Sequence, residues 1–320
     1  MRYIKDLKEG DRVSDIYLIK QKNSSVTKNG KPFDNVIIQD RTGNLDAKVW
    51  DPNSPGIEDF DAKDYVEICG DVVSFNGALQ VSVKRARKCS EGEFNPSDYL
   101  PTSPYDIEEM YSELLKYIDS VKNPYLNKLL CRFFKEDEAL ISKFKKTSAA
   151  KSIHHSFVGG LVQHTLAVTR LCDFYCTRYE KLNRDLLISA AICHDIGKTK
   201  ELSLYPENDY TDDGNFLGHI VIGAEMIGNK IHGVSGEAPI EGFPEFLEQE
   251  LKHCILSHHG ELEFGSPKKP AIMEAFALNF ADNTDAKMQI FTEMLDSETS
   301  KTWLGFKKML DSNVIATRME

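Results

Sequence analysis

Residues 190–202 read AAICHDIGKTKEL, an apolar helical run that ends on an imidazole beside a carboxylate, His194 and Asp195. Neither side chain packs as easily as Leu or Ala, so each needs a polar partner wherever it is buried. All nine histidines lie at or beyond residue 154. In GGLVQHTLAVTRLCDFY, His164 shares a helical face with Val168, Leu171 and Tyr175. His194 is in register with Leu187, and His258, in LEQELKHCILSHHG, follows Leu247, Leu251 and Cys254 at helical spacing. In AIMEAFALNFADNTDAK, Asp282 lines up with Ala275 and Leu278, and Asp285 follows on the same face. One inward histidine has a plain explanation, a satisfied core imidazole. Several histidines and two carboxylates on the inward faces of separate helices do not, and a shared metal centre supplies all their partners at once. The donors are nitrogen and oxygen without sulfur, a set that suits Mn, Fe, Co, Ni or Zn in a hydrolytic site and argues against structural zinc.

The order His164, then His194-Asp195, then Asp282 resembles the H…HD…D signature of the HD superfamily of metal-dependent phosphohydrolases. His219, in FLGHIVIG, and His258-His259, in SHHG, match the additional ligands of members that hold two ions, and the motif does not choose between His258 and His259. Adjacent helical residues project about 100° apart, a geometry that suits Asp195 as a bridge between two ions while His194 binds one. Gly197 is expected to end the helix. Lys198, just beyond it, then faces the same cavity as a catalytic phosphate contact; the plainer reading is a solvated cation at a helix C-terminus. His154 and His155, in KSIHHSF, precede the first ligand helix by a turn of loop. With Lys151 and Asp285 they are placed on the substrate side, or they simply order the loop through backbone hydrogen bonds. His232 and His253 read as surface or structural residues, and Cys193 as packing.

These residues must be carried by a chain of 320 residues, long enough for two domains with real cores. Hydrophobic content of 41% and charged content of 28% are ordinary for a globular protein, and the charged opening MRYIKDLKEGDRV has no signal-peptide pattern, so a cytoplasmic protein is expected. Seven scattered cysteines without a C-x-x-C pair point to reduced core residues. The net charge of −11 is uneven. Residues 1–95 hold 15 Lys and Arg against 16 Asp and Glu, leaving 24 against 34 for the remainder.

The first ninety residues read as five short strands, at 13–20, 35–40, 45–51, 65–75 and 78–86, separated by the turn signals Asn29-Gly30, Thr42-Gly43-Asn44 and Asn76-Gly77. Five strands in that length suggest a small closed barrel, which resembles an oligonucleotide-binding (OB) fold. Lys20, Lys22, Lys28 and Lys31 cluster in its first hairpin near Tyr17, Phe33 and Trp50. In an OB fold that hairpin borders the single-strand groove, where cations follow the backbone and rings stack on bases; the competing reading is aromatics in the core and lysines on a solvated edge. Residues 91–105, with three prolines, read as a linker, and the pattern is helical from Asp106 nearly to the end.

The expected architecture is therefore multidomain α and β: an OB-like five-stranded barrel over 1–90, a linker over 91–105, and an all-α HD-domain bundle over 106–320. The barrel preceding HHSFVGGLVQHT, CHDIGK, GHI, SHHG and ADNTDA closely resembles the YhaM family of 3′-to-5′ exoribonucleases over nearly the whole chain. That resemblance implies manganese-favoured, two-metal hydroxide attack on the phosphodiester, releasing nucleoside 5′-monophosphates from single-stranded RNA, with single-stranded DNA as a further substrate. Two rivals stay open: an HD phosphodiesterase acting on a small nucleotide or cyclic dinucleotide with a regulatory barrel, and a nonenzymatic single-strand-binding protein. Whether the chain forms a homo-oligomer is left open too.

Overall fold

The computed structural model describes residues 2–27, 29–75, 77–151, 155–234, 236, 238–297 and 302–317. Lys28 and His154 lie outside the described residues. The chain divides into two compact units, Met1–Thr102 and Ser103–Glu320. Among the described residues no helix is long and apolar enough to cross a membrane.

The first unit is a closed five-stranded barrel of β1 (Arg12–Val26), β2 (Pro32–Asp40), β3 (Gly43–Val49), β4 (Tyr65–Phe75) and β5 (Ala78–Lys88), in the order β1-β2-β3-β5-β4 with β4 returning to β1. All pairings are antiparallel except β3 with β5. This closed order is that of an OB fold. Alternate residues face inward, as strand period demands. In β4 these are Val66, Ile68, Gly70 and Val72, and they meet Val13, Ile19, Val36, Ile38, Val81 and Phe60 in one core. Gly70 sits at a register shift between β4 and β5, and a Cβ there would lie 2.4 Å from the Ser82 carbonyl oxygen, so only glycine fits.

Two barrel expectations are corrected. Tyr17 is fully buried, with its hydroxyl donating to the Arg2 carbonyl at 3.2 Å, so its ring belongs to the core and cannot stack on a base. Lys22 lies along β1, which runs on to Val26, and turns its ammonium to the Phe60 carbonyl at 2.6 Å and to Asp59 and Asp34 at 3.4 and 3.6 Å. That cation is already used. The segment read as a linker is in large part structured: Phe94 stacks on Tyr65 at 3.7 Å, Tyr99 and Leu100 are buried, and Gln39 donates to the Tyr99 carbonyl.

The second unit is helical: α1 (Ile107–Ser120), α2 (Pro124–Cys131), α3 (Glu138–Lys146), α4 (Gly160–Arg178), α5 (Arg184–Cys193), α6 (Lys198–Glu201), α7 (Asp212–Phe216), α8 (Gly218–His232), α9 (Glu245–Ser257) and α10 (Met273–Ser297). A two-stranded hairpin of β6 (Phe306–Lys307) and β7 (Ser312–Asn313) follows α10. Side-chain oxygens cap the helices where the sequence turns polar: Asp106 for α1, Asn123 for α2, Asp137 for α3, Asn183 for α5 and Thr211 for α7. The core is built on α4 and α5, through Leu161, Val168, Cys172, Leu187, Ala190 and Ala191, and closed by Ile227, Leu251, Ile255, Ala275 and Leu278 from α8, α9 and α10.

Gly197 does not end a helix in the way expected. The helix α5 stops at Cys193, and Gly197 has an ordinary φ of −60° at the start of α6. Its role is close approach, because a Cβ there would lie 2.0 Å from the His219 carbonyl oxygen and 2.8 Å from the Gly223 nitrogen of α8. Gly197→Ala must therefore push α8 away from α6. Overpacking of this kind is expected to cost about 1 to 3 kcal/mol or more, read as a lower urea midpoint at unchanged slope.

Candidate metal centre

Two helices end on candidate ligand histidines. His194 follows the last residue of α5 and His258 the last residue of α9, and each ring turns its Nδ1–H back to the carbonyl three residues earlier, Ala191 or Ile255, at 2.7 Å. A helix leaves its last carbonyls without partners, so each imidazole satisfies one of them and is oriented by it. A carbonyl can only accept; the proton is therefore on Nδ1 and the lone pair on Nε2 points inward. His259 follows the same rule through the Phe264 carbonyl at 2.8 Å. His219, in the first turn of α8, gives Nδ1 to Glu201 Oε1 at 2.9 Å, and His164 on α4 gives Nδ1 to Asp285 Oδ2 at 2.7 Å. Five rings thus have their outer nitrogen tied to oxygen and their inner nitrogen turned toward the cluster, the arrangement in which histidine binds metal.

The inner atoms fall into two groups around one carboxylate. His164, His194 and Asp282 offer donor atoms within 4.8 Å of one another, and so do His219, His258 and His259. Asp195 lies between them. Its Oδ2 is 3.4 Å from His164 Nε2 and 3.3 Å from His194 Nε2, while its Oδ1 is 3.5 Å from His219 Nε2 and 3.7 Å from His258 Nε2. Asp195, His194 and His258 are buried. Asp195 Oδ1, His219 Nε2 and His258 Nε2 are buried atoms without a hydrogen-bond partner among the described residues. Buried polar atoms are nearly always satisfied, and three on converging side chains are what a cation would satisfy. The residues present therefore fit divalent metal.

Charge inside this cluster is arranged for cation binding. Burial alone would raise the Asp195 carboxyl, but Lys198, His194 and His219 outweigh it and hold the group well below its ordinary value. Burial pushes His258 and His259 down, so both rings are neutral donors. For His164 burial also acts downward, yet hydrogen bonds to Asp282 and Asp285 outweigh it and carry the imidazole up to about 10. Asp282 and Asp285, opposed only by burial, are lowered by the same contacts.

Comparison with known proteins follows this geometry. The HD domain family model matches residues 161–287. The 3′-5′ exoribonuclease YhaM of Bacillus subtilis (strain 168) is 36% identical, with 90% of this chain and 88% of that protein aligned. That of Geobacillus sp. (strain WCH70) is 35% identical over 90% of this chain and 86% of its own length. The chain belongs to the YhaM family of 3′-5′ exoribonucleases. Solved structures similar to it include the second OB-fold domain of replication protein A from Methanococcus maripaludis (17% identity, TM-score 0.22, 29% of this chain and 98% of that one). Another is an OB domain from Thermoplasma acidophilum (21% identity, TM-score 0.22, 29% and 88%).

The remaining expected residues of this YhaM-family chain take up several different settings. Lys198 places Nζ 2.7 Å from Asp195 Oδ2, with a side chain 12% exposed; it is an inward cation at the start of α6, not a solvated one. Asp285 was expected to meet substrate, but its Oδ2 is shared by His164 Nδ1 and by His155 Nε2 at 3.0 Å, which makes it an orienting carboxylate. His155 is buried beside it. Lys151 is paired with Asp209 at 2.5 Å. His253 accepts the Ala271 N–H, and His232 is paired with Glu248 at the surface.

One residue of the site was missed in the sequence. Glu201, six residues past Asp195 in the same CHDIGKTKEL run, accepts from both the ring and the backbone N–H of His219 through a single oxygen, each at 2.9 Å. Nothing in the local sequence marks it, because the contact depends on Gly197 and the start of α6 packing against the helix of His219. Glu201→Gln keeps the shape and removes the charge that favours the Nδ1–H tautomer. The expected result is a loss of between about 10- and 100-fold in metal affinity at the His219 group, as outer partners of ligating histidines typically cost, read by manganese titration.

Proposed function

We propose that this metal-dependent 3′-5′ exoribonuclease works with two divalent ions, manganese first among them. His164, His194, Asp282 and Oδ2 of Asp195 would hold one, and His219, His258, His259 and Oδ1 of Asp195 the other. The observation that carries this reading is the division of the Asp195 oxygens, one toward each group. When bound, such ions supply Lewis-acid polarisation of a phosphoryl oxygen and a water acidic enough to act as nucleophile near neutral pH.

The chain's own part is positioning and charge. Release of a nucleoside 5′-monophosphate breaks the bond between phosphorus and the O3′ of the preceding nucleotide; water gives its hydroxyl to phosphorus and a proton to O3′. Lys198 stands at the edge of the centre, where its ammonium can bind a nonbridging phosphate oxygen. Asp285 fixes the His164 ring and, through His155, ties the preceding loop to α10. Glu201 fixes His219.

The barrel is the proposed single-strand binding unit. Trp50 is 51% exposed and stacked on Phe33 at 5.6 Å with 26° between the rings, and Lys20 and Lys31 are exposed. Such a surface takes bases by stacking and the backbone by charge, without reading the 2′-hydroxyl, which supports single-stranded DNA as a second ligand. Seven free cysteines support a reducing, cytoplasmic setting.

The test is 5′-labelled single-stranded RNA incubated with the full chain in Mn²⁺, Mg²⁺ or EDTA. Progressive shortening from the 3′ end with release of 5′-monophosphates in Mn²⁺, and none in EDTA, is the expected result. Intact RNA together with hydrolysis of a cyclic dinucleotide would overturn it in favour of the small-nucleotide phosphodiesterase.

A further inference from the structure

Beside the His219 and His259 end of the centre, four large apolar side chains stand in solvent: Phe216 at 85% exposure, Phe264 at 64%, Leu262 at 61% and Leu217 at 47%. None of them is among the buried core residues of the described chain. Both phenylalanines sit on segments built into the ligand set. The carbonyl of Phe264 holds the Nδ1–H of His259. Phe216 ends α7, and that short helix is seated on α6 by two contacts: Thr211 Oγ1 donates to the Lys200 carbonyl at 2.7 Å, and Gly214 lies so close that a Cβ would stand 2.3 Å from the Glu201 carbonyl oxygen. Glu201 in turn holds His219. The rings of His219 and His259 are 5.2 Å apart, so the two phenylalanine-bearing segments flank one edge of the centre.

We propose that Phe216 and Phe264 form a base-stacking subsite for the 3′-terminal nucleotides of single-stranded RNA. The proposal rests on the exoribonuclease reading and names what receives the bases while the phosphate lies at the centre. An enzyme that removes nucleotides one after another must hold whichever base arrives, and an aromatic face does so because every base has a π-face. The helical unit carries an acidic excess, so attraction to the phosphates cannot be general there, and apolar contact beside the few inward cations takes its place. The anchoring of both segments to His219 and His259 keeps them beside the centre, and a base held there would have its phosphate positioned as well as bound.

The test uses the full chain in Mn²⁺ and has two arms. In the first, kcat and KM are measured on 5′-labelled oligoribonucleotides for wild type, Phe216→Ala, Phe264→Ala and the Tyr variants. Each Ala variant is expected to raise KM about tenfold with kcat within about threefold of wild type, and Tyr to retain wild-type KM, since stacking needs a ring and not a methyl. Metal content is measured on the same samples and is expected to be unchanged. In the second arm, wild type is given an oligonucleotide lacking its 3′-terminal bases, and the same rise in KM is expected without any change to the protein. Equal KM on complete and abasic RNA, or Ala variants with wild-type KM, overturns the subsite. So does a Phe264→Ala variant whose only defect is lost metal, or variants that change oligomeric state and leave KM alone. Wild type that shortens no RNA at all overturns the exoribonuclease reading itself, an outcome distinct from these.

Discussion

Asp195→Asn is expected to reduce release of 5′-monophosphates from RNA by well over about 100-fold, more than the loss typical of an outer partner. Asn keeps the volume and one oxygen, so the buried position between the two histidine groups remains filled. What it removes is the negative charge that faces His164 and His194 with one oxygen and His219 and His258 with the other. It also leaves the inward ammonium of Lys198 without its carboxylate. Two cations can share a carboxylate; they cannot share an amide in the same way, whose nitrogen is a donor. RNA affinity measured in EDTA should stay at the wild-type level, because the barrel surface is untouched, and it should fall as salt rises. Elemental analysis should find less than the wild-type metal content. A variant that turns over RNA at the wild-type rate would rule out the bridging role.

The second large effect is on stability. Divalent ion at about 1,000 times its dissociation constant should stabilise the helical unit by about 4 kcal/mol for each ion bound. For a unit of this size that is at least about 8 °C in the midpoint of its thermal transition. The increment should grow with pH, and the sign follows from His164. Its imidazole is raised to about 10, so the proton it carries stabilises the folded chain fully below the unfolded value near 6.5, and that contribution is lost only as pH rises through about 10. An ion entering the His164, His194 and Asp282 group must displace this proton, and displacement becomes easier with each unit of pH. His258 and His259 are already neutral, so the other group takes its ion without that competition. Asp282 and Asp285, lowered by the same imidazole, contribute stability above the ordinary carboxylate range that is lost as pH falls through their folded values. Calorimetric scans at pH 6 and pH 8, with Mn²⁺ and with EDTA, read the metal increment and its growth with pH. A midpoint indifferent to Mn²⁺, or a larger increment at pH 6, would contradict it. Replacing His258 and His259 together by Ala should remove the pH-insensitive part of the increment and leave the rest.

What the sequence determined by itself was periodicity and donor chemistry. Strand alternation and the Gly30, Gly43 and Gly77 turns were enough for five strands, because side chains in a strand must face opposite ways and these turns need glycine's backbone freedom. Helical spacing was enough to turn His164, Asp282 and Asp285 inward, and several histidines with two carboxylates on inward faces were enough for a metal centre. Three-dimensional packing decided the rest, since each further assignment depends on a partner distant in the chain. Asp285 became an orienting residue only because α10 brings it to His164, 121 residues away. Tyr17 went to the barrel interior because its strand neighbours close around it. Lys22 found Phe60 and Asp59, 38 and 37 residues away. Gly197 looked like a helix terminator because local sequence cannot reveal α8 lying 2.0 Å from where its side chain would be. His258 and His259, which the motif could not separate, both turn inward because two different carbonyls, Ile255 within the helix and Phe264 in the following turn, hold their outer nitrogens. Spacing along a chain records which residues share a face. It does not record which hydrogen bond the far side of a ring makes, and in this protein that bond aims the inward nitrogen.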